Sequence, residues 1–181
     1  MNNDHRAAHA HACQVATQSP KIHKSTGNHP MFNRPAIAQQ YIAGKACTPT
    51  VPETIAFEGW LTGQWAPIAS LVDCTDQPVD PVVFVAYWQA KGRLLITTAN
   101  SEHPFWDLRL NTMFRAVHDW HHLAVDQGFG WEGEVAAYRF AIKHAPERIH
   151  WILRSEILGQ AAVALEFGSF PSQKLVYRIA V

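Results

Sequence analysis

The sequence has no excess of either sign of charge. Its 181 residues include 15 Lys and Arg against 15 Asp and Glu, so the formal net charge at pH 7 is zero. A protein that binds nucleic acid through the phosphates presents a surplus of basic side chains. The balanced composition therefore argues against a nucleic-acid partner.

Cysteine is also scarce. The three cysteines, Cys13, Cys47 and Cys74, are far apart, and no two of them form a Cys-x-x-Cys pair. An odd number of widely spaced cysteines predicts neither a disulfide framework nor a thiolate zinc site. We therefore expect a reducing compartment, with the cytoplasm as the default location.

Long hydrophobic runs are missing. No stretch approaches the roughly 18 apolar residues of a membrane-spanning helix, and the N-terminus lacks the apolar core of a secretion signal. With 48% hydrophobic residues the chain can still bury one sizeable core. We expect one domain without a transmembrane segment. The oligomeric state stays open, and the sequence is compatible with a homo-oligomer.

Residues 1–30 are polar and show no apolar periodicity. A segment with few apolar side chains buries too little surface to offset the entropy lost on ordering. We predict a disordered His-rich tail at 1–30, followed by a single helical metal-binding domain at 31–181. Met31 is an alternative start of translation. Five histidines of the tail are assigned to no site: His5, His9, His11, His23 and His29.

The apolar spacing predicts a mainly α fold of the α+β class. It consists of a helical bundle that carries a metal site, one small β-hairpin and a short C-terminal strand at 175–181. The β-branched and aromatic runs at 82–88 and 93–98, with a Gly-containing turn between them, predict the hairpin. Helices are expected at 35–45, 53–73 (with breaks), 104–126, 131–144 and 147–167.

The most informative stretch lies within the predicted helix 104–126, where three histidines and an aspartate are close in sequence. His118 and His122 are four residues apart, so they project from the same face of a helix. Zinc enzymes with an HExxH helix bind their metal through this spacing. His121 is turned about 100° away from His122 and is excluded from the site. Read singly, each histidine is more simply a surface residue or a buried structural one.

Glu134 lies in the next predicted helix, behind a turn that contains Gly128 and Gly130. A returning helix can bring its carboxylate to the histidine pair. We therefore predict a divalent metal site formed by His118, Asp119, His122 and Glu134. Asp119 either binds the ion or orients an imidazole, and the sequence leaves both roles open. Mixed nitrogen and oxygen ligation suits Zn²⁺, Fe²⁺ or Mn²⁺ rather than Ca²⁺, and we expect zinc ahead of the other two.

Two further residues are candidates for catalysis. Glu156 and Gln160 lie one turn apart on an otherwise apolar helical face. Either they form hydrogen bonds across the bundle, or they form hydrogen bonds to the metal ligands and orient them. If the protein is an enzyme, Glu156 is the candidate acid or base. Arg115 is then a candidate clamp for an anion or the substrate.

The pattern His118-Asp119-x2-His122-x11-Glu134 resembles the HDxxH-x11-E motif of the coenzyme Q biosynthesis family of the Coq-four type. Gly133 also fits that family's habit of a glycine before the glutamate. The resemblance covers about seventeen residues. It implies a mostly helical protein that binds a metal, usually described as zinc, and acts on polyprenylated quinone precursors.

A second resemblance covers more of the chain and concerns uncharacterised proteins of phages and mobile elements. Those proteins carry the motifs FRAVHD, GE, ExxGQ and FxxQK in this order. His122 falls one residue earlier than the second motif histidine of those proteins. The resemblance implies a shared helical metal domain without an established activity. The matching segment here begins at 92–94 and runs through 114–119, and it is followed by 133–134, 156–160 and 170–174.

Two classes of function follow from the predicted site. The first is a metal-dependent enzyme that acts on a small-molecule or lipid-like substrate. With zinc it would be a hydrolase or lyase, and with iron it would use oxygen. The second is a non-catalytic scaffold or interaction domain whose ion ties helices together. An open coordination position favours the enzyme, whereas a saturated one favours the scaffold.

Overall fold

The structure is a computed structural model, and it describes residues 32–176. The predicted tail at 1–30 lies outside the described residues. Within them, helices dominate and a single small sheet has two strands, so the predicted mainly α, α+β class is confirmed. The elements that precede the last helix are α1 (Arg34–Ala43), α2 (Val51–Trp65), β1 (Val72–Thr75), α3 (Pro81–Lys91), β2 (Leu94–Thr97), α4 (Leu108–Ala124) and α5 (Trp131–Lys143).

The last helix changes its hydrogen-bonding pattern along its length. A 3₁₀ turn, Glu147–Ile149, leads into α-helix His150–Leu153, and this continues through a π-helical segment, Arg154–Gly159, into α-helix Gln160–Phe167. We call the whole run the C-terminal helix. Segments of π-helix inside α-helices are rare and often occur at functional sites. In the part of the chain that the structure describes, no helix is both long and apolar enough to cross a bilayer.

The predicted β-hairpin is wrong. Residues 82–88 belong to α3, and β2 pairs in parallel with β1, from Val72 opposite Leu94 to Thr75 opposite Thr97. Helix-terminal residues outweigh the β propensity of the run.

The ends of α3 show how these residues act. Asp80 caps the helix by accepting a hydrogen bond from the Val83 amide at 2.9 Å. Pro81 is the first helical residue, and Gly92 ends the helix in the left-handed conformation with φ 63°. These are strong signals for the start and the end of a helix.

Other boundaries differ from those predicted. Helix α4 begins at Leu108 rather than at residue 104, because Asp107 accepts a hydrogen bond from the Leu110 amide at 2.7 Å and caps the helix there. The segment predicted as a broken helix at 53–73 is α-helical to Trp65 and then forms a short 3₁₀ turn, Ala69–Leu71, before β1. Residues 175–176 belong to no strand, and 177–181 lie outside the described residues.

Helix α4 occupies the centre of the fold. It packs against α2 on one side, against α5 on another and against β2 on a third. Aromatic side chains fill the contact with α2, where Phe57 stacks on Trp106 with the ring centroids 4.5 Å apart and Phe114 lies beside both. Because α4 is held on three sides, its histidines are presented from a rigid element.

The segment after the C-terminal helix is fastened to the end of α1. The Lys174 ammonium donates hydrogen bonds to the carbonyls of Ile42 at 3.0 Å and Gly44 at 2.8 Å. The Tyr41 hydroxyl donates to the Lys174 carbonyl at 2.9 Å. A cation at the C-terminal end of a helix satisfies carbonyls that have no partner within the helix. The segment is thereby fixed beside the C-terminal helix.

Ser155 fastens the same segment from the other side. Its buried hydroxyl accepts a hydrogen bond from the Val176 amide at 2.9 Å and lies 3.3 Å from the Lys174 carbonyl. Ser155→Ala leaves that amide buried without a partner, which should lower the free energy of unfolding by about 1–3 kcal/mol. Urea denaturation measures this change. The exposed Ser172 gives the control, because Ser172→Ala should change stability by less than about 0.5 kcal/mol. Equal losses in the two variants would contradict the assignment.

Candidate metal centre

Helices α4 and α5 bring three of the four predicted ligands together. His118 and His122 lie one turn apart on α4, and Glu134 lies in the first turn of α5. Among residues 32–176, these three form the one group of His, Cys, Asp or Glu side chains that could hold a metal ion, each offering one donor atom. His122 and Glu134 are buried, and His118 is half-buried.

The donor atoms of these three residues lie close together. The His118 and His122 Nε2 atoms are 3.3 Å apart. His118 Nε2 lies 3.2 Å from Glu134 Oε2, and His122 Nε2 lies 3.5 Å from the other carboxylate oxygen, Oε1. Nitrogen and oxygen ligands about 2.0–2.2 Å from a tetrahedral zinc ion are about 3.3–3.5 Å from one another. The two imidazoles and the carboxylate are therefore close enough to bind one ion, each through one donor atom.

The tautomer of His122 is fixed by the loop between the two helices. Its Nδ1 atom lies 3.1 Å from the Gly128 carbonyl oxygen, which can only accept a hydrogen bond. Nδ1 therefore carries the hydrogen, and the neutral ring directs the bare lone pair of Nε2 toward Glu134. Histidines that bind metals commonly have their second nitrogen hydrogen-bonded to a carbonyl in this way.

The electrostatics of the group favour positive charge at its centre. Burial alone would lower the pKa of His118, but Glu134, Asp119 and Glu156 together raise that pKa above its usual value. Burial alone would raise the pKa of Glu134, yet His118 and His122 bring it down to about 2. A lone pair of His122 and a carboxylate oxygen at 3.5 Å repel each other unless a proton or a cation lies between them.

Gly133 allows this close approach. A Cβ atom at position 133 would collide with the Gly128 carbonyl and lie 3.4 Å from His122 Nδ1. Any larger residue would therefore displace the carbonyl that fixes the His122 ring. The glycine that precedes Glu134 in the sequence thus has a steric role in the site.

Asp119, the fourth predicted ligand, does not join the group. Its half-buried carboxyl lies in the wall of the cavity next to His118. Burial raises the pKa of Asp119 to about 7, against the attraction of His118 and with a further contribution from Glu134. In the described part of the chain the His118 Nδ1 atom has no hydrogen-bond partner, so Asp119 does not orient that ring through Nδ1.

His121 points away from the group, as the angular argument predicts. Its Nε2 atom lies 3.3 Å from the Gln64 amide oxygen, and its ring packs between those of Trp60 and Phe140. Burial, together with the nearby His118, His122 and His144, lowers the pKa of His121 to about 3. It is a neutral residue of the core.

A cavity of about 830 Å³ reaches the candidate metal centre. His118 and Glu134 lie in its wall, and this volume falls within the range of small-molecule sites. Apolar side chains cover much of the remaining wall, among them Phe84, Ile96, Phe114, Phe129 and Phe170.

Glu156 faces the same cavity from the π-helical segment. Its Oε2 atom accepts a hydrogen bond from the Gln160 amide at 2.6 Å, and its Oε1 atom lies 3.5 Å from His103 Nε2. Burial raises the pKa of Glu156, while His103, Gln160 and Arg115 act in the opposite direction. The hydrogen bond between Glu156 and Gln160 lies within the C-terminal helix, whereas the contact with His103 joins that helix to the loop before α4.

Sequence reasoning missed His103. Its Nδ1 atom accepts a hydrogen bond from the Phe105 amide at 3.2 Å, so the hydrogen of the neutral ring is on Nε2, which faces Glu156. The ring stacks on Trp106 with the centroids 3.9 Å apart and the planes 9° from parallel. Nothing in the sequence links a single histidine in a loop to a glutamate on a distant helix.

Arg115 does not have the contacts of an anion clamp. Its Nη1 atom donates to the carbonyls of Thr97 and Ala99, each at 3.0 Å, and its Nη2 atom donates to the Asn100 carbonyl at 2.8 Å. The guanidinium group holds the loop after β2 against α4. Arg115 therefore positions a wall of the cavity.

Comparisons with known proteins yield no relative. No family model matches the sequence, no curated protein matches it, and no solved structure matches the fold. The case for a function therefore rests on the geometry of the site.

Proposed function

We propose that this protein is a metal-dependent enzyme whose divalent ion is held by His118, His122 and Glu134. Zinc is the expected ion, ahead of iron and manganese. The observation that carries the proposal is the close grouping of the two Nε2 atoms, 3.3 Å apart, with the Glu134 carboxylate, whose Oε2 lies 3.2 Å from His118 and whose Oε1 lies 3.5 Å from His122. Two histidines and one glutamate are also the protein ligands of several catalytic zinc sites.

Catalysis is favoured over a scaffold by the number of ligands. In residues 32–176 no fourth His, Cys, Asp or Glu side chain joins the group, and two of its members lie in the wall of a large cavity. A divalent ion held by three protein ligands keeps a position for water or substrate. Such an ion would polarise a substrate carbonyl or acidify a bound water molecule.

The surrounding residues have distinct roles in this proposal. The Gly128 carbonyl fixes the His122 ring. Glu156 is the candidate acid or base, and it is held by His103 and Gln160. The apolar wall supports a small-molecule or lipid-like substrate. The cytoplasmic location and the absence of a nucleic-acid partner stay predictions from composition.

Deletion of residues 1–30 tests whether the ion belongs to the helical domain. The truncated chain, purified without an affinity tag, should retain one zinc ion per molecule, because the three ligands lie on packed helices. Elemental analysis after dialysis measures the stoichiometry. The full-length chain is the comparison, since its five additional histidines can bind further ions loosely. A truncated chain that is folded and contains no ion after incubation with zinc would refute the proposal.

A further inference from the structure

Carboxylates outnumber cationic side chains in the wall of the cavity. In the described part of the chain, Arg115 is the single Lys or Arg that lines it. The five carboxylates are those of Asp80, Glu102, Asp119, Glu134 and Glu156.

Arg115 contributes little to the recognition of an anion. Three of its hydrogen bonds go to the backbone carbonyls of the loop at 97–100. An anionic substrate such as a phosphate ester or a carboxylate would enter a cavity of like charge whose one guanidinium group is already engaged. Like charges at close range oppose binding.

Glu156 is a buried carboxylate whose hydrogen-bonding partners carry no permanent charge. Its side chain is 3% exposed. Gln160 donates through its amide, and His103 faces Glu156 through Nε2 because its Nδ1 atom accepts a hydrogen bond from the Phe105 amide. Ionised carboxylates are rarely buried without a cation beside them. The carboxylate of Glu156 is therefore a favourable position for a positively charged group of a ligand.

One other oxygen atom of the cavity wall, Gln173 Oε1, lacks a hydrogen-bond donor within residues 32–176. A buried acceptor without a donor costs free energy, which a ligand with N–H groups can recover. An ammonium group has three such donors and no acceptor.

We propose that the ligand of this cavity carries a protonated amine on an apolar body, with the ammonium group on the Glu156 carboxylate. The apolar body lies against the side chains of Phe84, Phe114 and Phe129, which line the same cavity. That this ligand is a substrate rests on the proposed function. Its binding does not, because the Glu156 carboxylate lies outside the group of three metal ligands.

Three probes of similar shape and different charge test the proposal: benzylamine, benzyl alcohol and benzoate. Their dissociation constants are measured by ligand-observed NMR on the zinc-free full-length chain. We expect benzylamine to bind at least about tenfold more tightly than benzyl alcohol, with benzoate weakest, because a charge-assisted hydrogen bond replaces a neutral one. Glu156→Gln should weaken benzylamine binding by about 10–100-fold and leave benzyl alcohol unchanged.

Glu58→Gln is the matched control, because it removes an exposed carboxylate on α2, away from the cavity. Benzoate binding more tightly than benzylamine, or no binding of benzylamine, would overturn the proposal. Equal benzylamine affinity in Glu156→Gln and Glu58→Gln would also overturn it. If Glu156→Gln does not fold, the proposal is tested by the affinities of the three probes for the unmodified chain, where benzylamine should bind most tightly and benzoate most weakly. Since zinc is absent, failure of the metal proposal is detected separately, by elemental analysis.

Discussion

His118→Ala and His122→Ala should each lose the bound zinc ion, whereas His121→Ala should keep it. The two Nε2 atoms and the Glu134 carboxylate form the group of donor atoms, while the His121 ring faces Gln64 on the other side of α4. Loss of an outer partner of a metal ligand weakens affinity by about 10–100-fold, and loss of a ligand itself should exceed that. Competition with a chromogenic chelator measures the dissociation constants.

His121→Ala is also the control for general damage to the helix, because it removes a buried imidazole from the same turn of α4. It is expected to lower thermal stability while leaving the zinc stoichiometry at one. Retention of zinc by His122→Ala together with loss by His121→Ala would reverse the assignment of the two rings. Circular dichroism of each variant separates loss of the ion from loss of the fold.

Gly133→Ala is expected to damage both the fold and the metal site. The added Cβ would collide with the Gly128 carbonyl, so the loop between α4 and α5 has to move. Overpacking of this kind costs about 1–3 kcal/mol. The displaced carbonyl no longer fixes His122, and zinc affinity should fall about 10–100-fold. Urea denaturation of the zinc-free chain and chelator competition measure the two effects separately.

Gly63→Ala is the control, because it should raise the free energy of unfolding where Gly133→Ala lowers it. Gly63 lies within α2, and a Cβ atom there would meet no atom within 4 Å. Alanine is favoured over glycine in a helix by about 0.5–1 kcal/mol, so this variant should be more stable than the unmodified chain. If Gly133→Ala is stabilised as well, the loop between α4 and α5 moves at little cost in free energy, and the Gly128 carbonyl does not position His122.

The grouping of His118, His122 and Glu134 could be predicted because its geometry is local. The four-residue spacing of His118 and His122 needs only a helix, and Glu134 needs only a short loop and a second helix. Asp119 is next to His118 in sequence, but one step along a helix turns a side chain away by about 100°. Adjacency in sequence therefore predicted a ligand that the group does not contain.

The hairpin was mispredicted because residue composition was given more weight than the helix termini. The valines of 82–88 favour a strand, yet Asp80, Pro81 and Gly92 define the start and the end of a helix. Three valines of α3 are exposed, so these side chains do not gain the burial that would favour a strand. Short apolar runs are ambiguous between helix and strand unless their flanking residues decide.

Long-range contacts could not be read from the sequence at all. His103 meets Glu156 across 53 positions, through a loop that has no periodic pattern. Arg115 has the charge expected of an anion clamp. Its three carbonyl partners lie in the loop at 97–100, whose position follows only from the tertiary structure. Pairings of this kind depend on tertiary structure, which spacing along the chain does not encode.

The π-helical segment, Arg154–Gly159, determines how the two α-helical halves of the C-terminal helix are rotated relative to each other. Within it, amides bond to carbonyls five residues back instead of four, so the segment contains a residue that a uniform α-helix would not need. If the same residues followed a uniform α pattern instead, Gln160–Phe167 would be rotated by about 100° relative to His150–Leu153. Gln160, Ala161, Ala164 and Leu165 would then leave the cavity wall. The angular phase of this helix, and not only its side chains, shapes the site.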